Sequence, residues 1–381
     1  MRHAMIMAGG AGTRLWPMSR KHLPKQLVRF LRDENTGEWR SLLKLAVDRL
    51  HGLIPPDNIY ICTNEAYRHE INDTIPNIKD DNILGEPVGR DTVNAVGFAA
   101  AVIHKRDPAA VFATLTADQI ITPEDQFRET LDTGFRAAED DPLRLVTFAI
   151  TPTYPATGFG YVEKGAPITI AGQQPKHPAY LVENFAEKPD AQRAAAYVES
   201  GNYGWNSGMF IWTAETILDC LRRYKPESFE GIEKIKQAWD TPDQNTTLNE
   251  VYPNLPKISV DYAIMEPASR EQRRAADRGE LASAVKVCTV EMDLQWLDVG
   301  SWPSYAETLQ PDDKGNKASG NAQLLKNTNT LVVNNDDKHL VACIGCDNLI
   351  VVHTKDATLV MPADRAQELK SLHNELPEEL K

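Results

Sequence analysis

Three glycines, an arginine and a lysine near the start of the chain have the types and spacing to hold phosphate. The stretch Ala8 to Gln26, AGGAGTRLWPMSRKHLPKQ, follows the apolar run Ala4 to Ala8, which reads as a buried strand. Gly9, Gly10 and Gly12 therefore fall where a strand meets a turn. Glycine reaches backbone conformations closed to other residues and lets amide N–H groups approach phosphate oxygens. Arg14 and Lys25 supply charge, and Pro17 and Pro24 stiffen the loop that carries them. Two better-known glycine motifs fail. A dinucleotide fingerprint needs a third glycine where Leu15 stands, and a Walker A loop needs Lys and Ser/Thr where Thr13 and Arg14 stand. From Met1 to Arg32 there is no Asp or Glu, while Arg2, Arg14, Arg20, Lys21, Lys25, Arg29 and Arg32 are all present. In a chain of net charge −13, such a run reads as a local trap for a small polyanion. The plainer reading, a glycine turn that merely reverses the chain, leaves the cations unexplained.

The elements that must position these residues follow an α/β pattern. Ile59 to Thr63, Ala110 to Ala117 and Leu145 to Ile150 read as strands. Helical patterns lie between them: Ser41 as N-cap before Leu42, Leu45, Ala46 and Leu50, then Asp91 to Lys105, then a stripe of Phe127, Leu131 and Phe135. Alternation of this kind predicts a doubly wound, mixed but mostly parallel sheet, with ligands beyond its C-terminal strand ends. Further strands are expected around Tyr161, Val182 and Met209 and over Ala284 to Met292, with helices near Ala191 to Glu199 and Ala214 to Tyr224. QPDDKGNKASG, Gln310 to Gly320, is a polar linker that separates residues 1–310 from 321–381. After it, short apolar clusters begin at Leu324, Leu331, Leu340, Leu349 and Leu359. Such spacing predicts a small β-roll or β-helix, closed by an amphipathic helix over Ala363 to Leu376.

Bulk composition narrows the function classes. The 381 residues are 42% apolar and 25% charged, which suits a globular chain with a sizeable core. The negative charge argues against a nucleic-acid surface. No apolar run reaches the roughly 20 residues that span a bilayer, and the apolar stretch after Arg2 and His3 stops at Gly9, too early for a signal peptide. Five scattered cysteines do not form a disulfide framework, and the lone C-x-x-C of Cys343 and Cys346 reads as two packed thiols. A reducing cytoplasm fits.

GGAGTRLWPMSRKHLPKQ resembles the signature of nucleoside-diphosphate-sugar pyrophosphorylases, and its LWP and SR elements resemble the mannose-1-phosphate guanylyltransferase branch. The resemblance continues in EPVGRDT (86–92), TADQI (116–120), TGFGYVE (157–163), FAEKP (185–189), WNSGMF (205–210), SVDYAIME (259–266) and WLDVGSW (296–302). The order is right and nearly the whole chain is covered. It implies transfer of GMP from GTP to mannose 1-phosphate, with Mg²⁺ as cofactor, in a homodimer aided by a C-terminal left-handed β-helix. By the same resemblance Gly9, Gly10, Gly12 and Thr13 hold the nucleotide, Arg14 and Lys25 grip its phosphates, and Asp118 and Asp298 bind the metal. Gly160, Glu163, Glu187, Lys188, Asn206 and Asp261 would face the sugar phosphate. Glu86, Arg90 and Asp91 belong to the base-binding segment, where a carboxylate could accept from the N1–H and N2–H₂ donors of guanine. Asp91 serves equally well as a helix cap. The chain departs from the family pattern at Asp91 and at Val93 and Asn94, where the family often has Asn and a run like APA, and at Gln119, where His is common. It ends before the cupin-like isomerase domain of longer relatives, so one activity is expected. Other readings are a pyrophosphorylase for another sugar or base, a non-catalytic regulatory homologue, and a nicotinamide-dependent dehydrogenase. The charged set Arg14, Lys25, Asp118 and Asp298 speaks against the regulatory homologue, and Leu15 against the dehydrogenase.

Overall fold

Runs of β-branched and other apolar residues bounded by polar turns produce, among the described residues, nine strands that share one sheet. The computed structural model describes residues 1–10, 12–32 and 37–381, so Ala11 of the glycine stretch lies outside the described residues. The chain divides into two compact units, each assembled from separated stretches: Met1–Ala8, Ala46–Thr116 and Ile121–Trp296, and then Gly9–Leu45, Ala117–Ile120 and Leu297–Lys381. No helix among the described residues is long and apolar enough to cross a membrane.

The first unit holds the large sheet. Its strands are β1 (Arg2–Met7), β2 (Ile59–Asn64), β3 (Ile83–Glu86), β4 (Val111–Thr116), β5 (Arg144–Ile150), β6 (Tyr161–Pro167), β7 (Ala179–Ala186), β8 (Tyr203–Thr213) and β9 (Lys286–Met292). Their spatial order is β3-β2-β1-β4-β8-β5-β9-β7-β6, and β8 also pairs with β6. β1 lies parallel to both β2 and β4, and β5 parallel to β9, while β8 runs antiparallel between β4 and β5. The central strands are buried nearly throughout, as strands covered on both faces must be. Ile59 to Thr63 and Leu145 to Ile150 thus form strands where the apolar runs place them. The helix Asp91–Arg106 buries eleven consecutive residues from Val93 to Ile103. Ala95 and Ala99 to Ala101 give it the small surface that lets other elements pack closely, and Phe98 meets Trp239 edge-on at 5.0 Å.

The second unit combines the glycine stretch with the C-terminal strands. Leu15, Trp16 and Met18 share a core with Val299, Trp302, Tyr305, Leu331, Ile350 and Leu369. Lys317–Ser319, Leu331–Asn334 and Leu349–His353 stack in parallel, as do Ala322–Leu325 and Val341–Ile344. Leu331 stands beside Ile350 and Ala322 beside Val341, the coil-on-coil repetition of a β-helix. Thr358–Pro362 ends the stack antiparallel. Buried Asn327 staples one turn: its Nδ2 donates to Cys343 O at 3.1 Å and its Oδ1 accepts from Cys346 N at 2.9 Å. Cys343 and Cys346 are thus part of a packed corner. The closing helix is shorter than its apolar period predicts. Ala363–Glu368 winds as a tighter 3₁₀ segment and only Leu369–Glu375 is α-helical, with Ala366 and Leu369 buried but Leu372 exposed. Ser41 ends a short strand, Trp39–Ser41, and its Oγ accepts from Lys44 N at 3.2 Å, so it caps the next helix from the strand side.

Candidate active site

The phosphate-binding expectation rests on the loop, and the loop is held tightly. Gly12 adopts φ 65°, where side chains are costly, and a Cβ there would lie 2.6 Å from Lys25 Cβ and 2.8 Å from Lys25 Cγ. Its carbonyl accepts from Ser19 Oγ at 2.7 Å and from Leu15 N at 2.9 Å, closing the turn Thr13–Leu15. Gly9, Gly10 and Arg14 are exposed, and Thr13 is half-buried. Trp16 and Pro17 stand behind the loop: Trp302 Nε1 donates to Trp16 O at 2.9 Å, and Trp16 Nε1 donates to Leu380 O at 2.7 Å.

Lys25 is buried and reaches back across this loop. Its Nζ donates to Asp118 Oδ2 at 2.8 Å and to Val299 O at 3.3 Å. Asp118 and Asp298 are locked in register because Val299 N donates to Asp118 O at 2.9 Å. Arg14 comes close as well: a Cβ on Gly300 would stand 3.3 Å from Asp298 Oδ2 and 3.7 Å from Arg14 Nη2. Burial, and then the charge of Asp118, push the Asp298 carboxyl up to about 6, against the pull of Lys25 and Arg14. Arg14, Lys25, Asp118 and Asp298, far apart in the sequence, therefore form one cluster within the second unit. Among the described residues no point gathers three or more His, Cys, Asp or Glu. A half-buried carboxylate held beside a second one suits a divalent cation that takes its remaining ligands from phosphate and water.

The acid-free run does not act as one patch. Arg2 is engaged with Asp132 at 2.6 Å and Glu139 at 2.7 Å. Arg20 pairs with Asp356 at 2.7 Å and lies over the Trp16 ring. Arg14 and Lys25 are the cations of this run that stand with Asp118 and Asp298.

Within the first unit, five of the six residues expected near the sugar come together. Asn206 Nδ2 donates to Asp261 Oδ1 at 2.9 Å, Asn206 N donates to Gly160 O at 2.8 Å, and Thr147 Oγ1 donates to Asn206 Oδ1 at 2.9 Å. Glu187 packs against Gly160 and pairs with Lys188 Nζ at 3.3 Å. Lys188 itself sits at φ 45°, a conformation that costs a non-glycine residue energy and recurs at functional sites. Burial pushes the Asp261 carboxyl up to about 7, with the Glu187 charge adding to it, and burial raises Glu187 too. Glu163 stands apart. It pairs across the ribbon with Tyr203, whose hydroxyl donates to its Oε2 at 2.8 Å, and strand alternation puts it on the face opposite Gly204 and Val162.

The base segment is built around Glu86, at the end of β3. Glu86 is buried, and Tyr252 OH donates to its Oε1 at 2.5 Å. Burial pushes its carboxyl up to about 7, while Tyr252 and the Arg90 amide hold it down. Asp91 is exposed at φ 64°, and its Oδ1 accepts from Thr92 N at 2.8 Å; the N-cap position is Arg90, with no side-chain cap bond, so Asp91 is the first helical residue rather than the cap. Asn94, a departure from the family pattern, is fully buried and donates to Arg90 O at 2.9 Å and Pro256 O at 2.6 Å. It ties the segment down rather than facing a ligand. The Arg90 guanidinium has no hydrogen-bond or ion-pair partner among the described residues. Tyr252 and Thr147 were not legible in advance, since each matters only through a contact far away in sequence.

Comparison with known proteins gives the family of the chain. Residues 3–315 match the family model for nucleotidyl transferase, and residues 323–376 match that for the mannose-phosphate isomerase/GMP-like β-helix domain. The chain is 38% identical over 371 residues to a mannose-1-phosphate guanylyltransferase of Klebsiella pneumoniae, covering 96% of this chain and 72% of that one. It is 35% identical over 376 residues to a mannose-1-phosphate guanylyltransferase of Escherichia coli K12, covering 97% and 72%. A crystal structure described as mannose-1-phosphate geranyltransferase from Thermus thermophilus matches with TM-score 0.80 and 28% identity, over 98% of both chains. Nucleotidyltransferases of this family generally use a divalent metal. The chain is a nucleotidyltransferase and belongs to the mannose-1-phosphate guanylyltransferase family.

Proposed function

We propose that this chain transfers GMP from GTP to mannose 1-phosphate, giving GDP-mannose and pyrophosphate. A phosphate oxygen of the sugar attacks the α-phosphorus as the bond to the departing pyrophosphate breaks in line. The observation that carries the reading is the joined cluster of Arg14, Lys25, Asp118 and Asp298. Such transfer needs positioning and charge neutralisation, and no covalent enzyme intermediate.

Asp118 and Asp298 would hold Mg²⁺, which neutralises phosphate charge when bound. Lys25 spans from Asp118 to the Val299 carbonyl and presents a buried ammonium to phosphate oxygens. Arg14, exposed on the loop, offers a two-pronged guanidinium to the same groups. Amides of Gly9, Gly10 and Thr13 line the turn that would receive the nucleotide. Asp261, Asn206 and Glu187 supply the acceptors and the amide that hexose hydroxyls require, and Lys188, mostly exposed, meets the sugar's phosphate. For the base, Asp91 offers an exposed carboxylate, while Glu86 braces the segment through Tyr252. Arg90, whose guanidinium is unpaired among the described residues, supplies a further cation there. Guanine and mannose rest on the names of the relatives. A cytoplasmic setting is supported by five free cysteines. A homodimer built through the β-helix is the assembly we infer.

The test is incubation with Mg²⁺, a panel of nucleoside triphosphates and a panel of sugar 1-phosphates, following pyrophosphate release. GTP with mannose 1-phosphate should be the best pair. Turnover with only another pair would sink the specific reading, and no pyrophosphate with any pair would sink the transferase assignment.

A further inference from the structure

The first unit carries a second cationic cleft, formed by helices that hold none of the site residues described above. A cavity of about 420 Å³ is lined by Arg223, Arg270, Arg274 and Arg278, with Tyr224 and Glu271. Four guanidinium groups meet there with one carboxylate, in a chain that is strongly acidic as a whole. Arg270, Arg274 and Arg278 recur every four residues along the helix Glu266–Asp277 and its C-cap, so they follow one face. Arg223 arrives from a different helix, Ala214–Tyr224.

The existing partners of these groups explain little of their convergence. Glu271 accepts from Arg223 and, at 2.7 Å, from Tyr224 OH. Arg270 pairs with Glu266 at 2.6 Å, one helical turn back, and Arg278 with Glu280 at 2.7 Å. Arg223, Arg270 and Arg278 are each more than half exposed; Glu280 is exposed too, so the Arg278 pair is worth little and opens readily, whereas Glu271 and Glu266 are largely covered. Arg274 has no hydrogen-bond or ion-pair partner among the described residues. Cations near a helix C-terminus favour the helix dipole, which accounts for the sign of Arg274 and Arg278. That term favours Arg223 too, in the last turn of its own helix, but it does not account for two separate helices delivering their C-terminal cations to one cleft.

We propose that this cleft is a binding site for a small polyanion carrying a diphosphate group. Guanidinium forks bind phosphate oxygens in pairs, and several of them around one cavity match a group with many acceptor oxygens rather than a single carboxylate. Arg274 is the free donor, Arg278 exchanges the exposed Glu280 for the ligand, Arg270 turns its exposed end from Glu266, and the largely covered Glu271 holds Arg223 in place. The diphosphate could be free inorganic diphosphate or the bridging group of a sugar nucleotide.

Inorganic diphosphate is titrated calorimetrically into the full chain at low salt without divalent cation. Wild type is compared with Arg274→Gln and with the double variant Arg270→Gln/Arg274→Gln. We expect a binding component that weakens at least about tenfold in the single variant and vanishes in the double, with turnover in the absence of added product unchanged. Identical stoichiometry and affinity in wild type and double variant would overturn the proposal. If the double variant melts early, the single one decides, because a side chain without partners has no fold to support. GDP-mannose added as competitor separates the sources: displacement of diphosphate from this component assigns the site to the sugar nucleotide, and failure to displace assigns it to the free anion.

Discussion

Gly12→Ala is the sharpest probe of the phosphate loop. The added Cβ would lie 2.6 Å from Lys25 Cβ, whereas carbon atoms in contact stand about 3.5 to 4.0 Å apart. Lys25 must therefore move by about 1 Å, or the loop must. The left-handed φ of 65° adds about 1 to 2 kcal/mol once a side chain is present. A displacement of that size breaks the 2.8 Å bond from Lys25 to Asp118 and takes the ammonium off its line to the phosphates. Misplacement by about 1 Å costs on the order of a hundredfold in rate. The expected outcome is a fall in kcat/KM of at least about a hundredfold, while the melting temperature drops by a few degrees only. Steady-state pyrophosphate release and thermal unfolding on the same preparation read the two effects. A variant with kcat/KM within about threefold of wild type would refute the argument that Gly12 exists to make room for Lys25.

Asp298→Asn should cost about 10² to 10³-fold in metal-dependent rate with folding unchanged, because it removes one of two carboxylates while relieving their mutual repulsion; near-normal activity across a magnesium titration would take Asp298 out of the metal site. Asp261 gives a pH signature. Its carboxyl is raised from the ordinary 3.8 to about 7, so it stabilises the fold below about pH 4 and loses that contribution as pH rises through about 7, on the order of 4 kcal/mol at most. Asp261→Asn should therefore gain in melting temperature relative to wild type on going from about pH 5 to about pH 8, and a difference independent of pH would contradict the burial argument. Trp302→Ala should cost about 3 to 5 kcal/mol by emptying the core behind the loop and losing the bond to Trp16 O, and kcat/KM should fall although residue 302 touches no phosphate; lost stability with unaltered kcat/KM would show that the loop does not depend on this support.

Elements with a strong local period were legible in the sequence. The buried run at Val111–Thr116 and the stripe through Phe127, Leu131 and Phe135 each became the element expected, since each buries apolar residues against a single sheet. The stretch between Tyr224 and Ala284 was not read as structure, yet it holds helices at Pro226–Ala238, Gln244–Val251 and Glu266–Asp277. Their buried faces are narrow and rest on small residues such as Gly231, Ala268 and Ala275. Polar residues dominate the remainder, so the pattern is faint. The final helix failed for the opposite reason. Apolar spacing was present, but the first six residues found a tighter winding, with Arg365 paired to Glu368 three residues on.

The site was legible through the motif resemblance, which sets Arg14 with Lys25 and Asp118 with Asp298; local pattern alone gives no such grouping. Arg14, Lys25, Asp118 and Asp298 look like four separate features, and each alone reads as a surface charge, a turn or a cap. What joins them is a core. Leu15, Trp16 and Met18 are apolar residues in a loop that local reasoning makes polar and exposed. They bury against Trp302, Tyr305 and the β-helix strands, and Trp16 gives both its carbonyl and its indole N–H to C-terminal partners. That burial fixes the loop from which Lys25 stretches to Asp118 and to the Val299 carbonyl. Val299, in turn, is fully buried and hydrogen-bonded to Asp118, which leaves Asp298 no freedom to retreat from a like charge. Raised proton affinity at Asp298 is thus a consequence of packing beside a like charge. The LWP element within the signature contributes no chemistry of its own. It is the anchor that holds in place the loop carrying the glycines and cations.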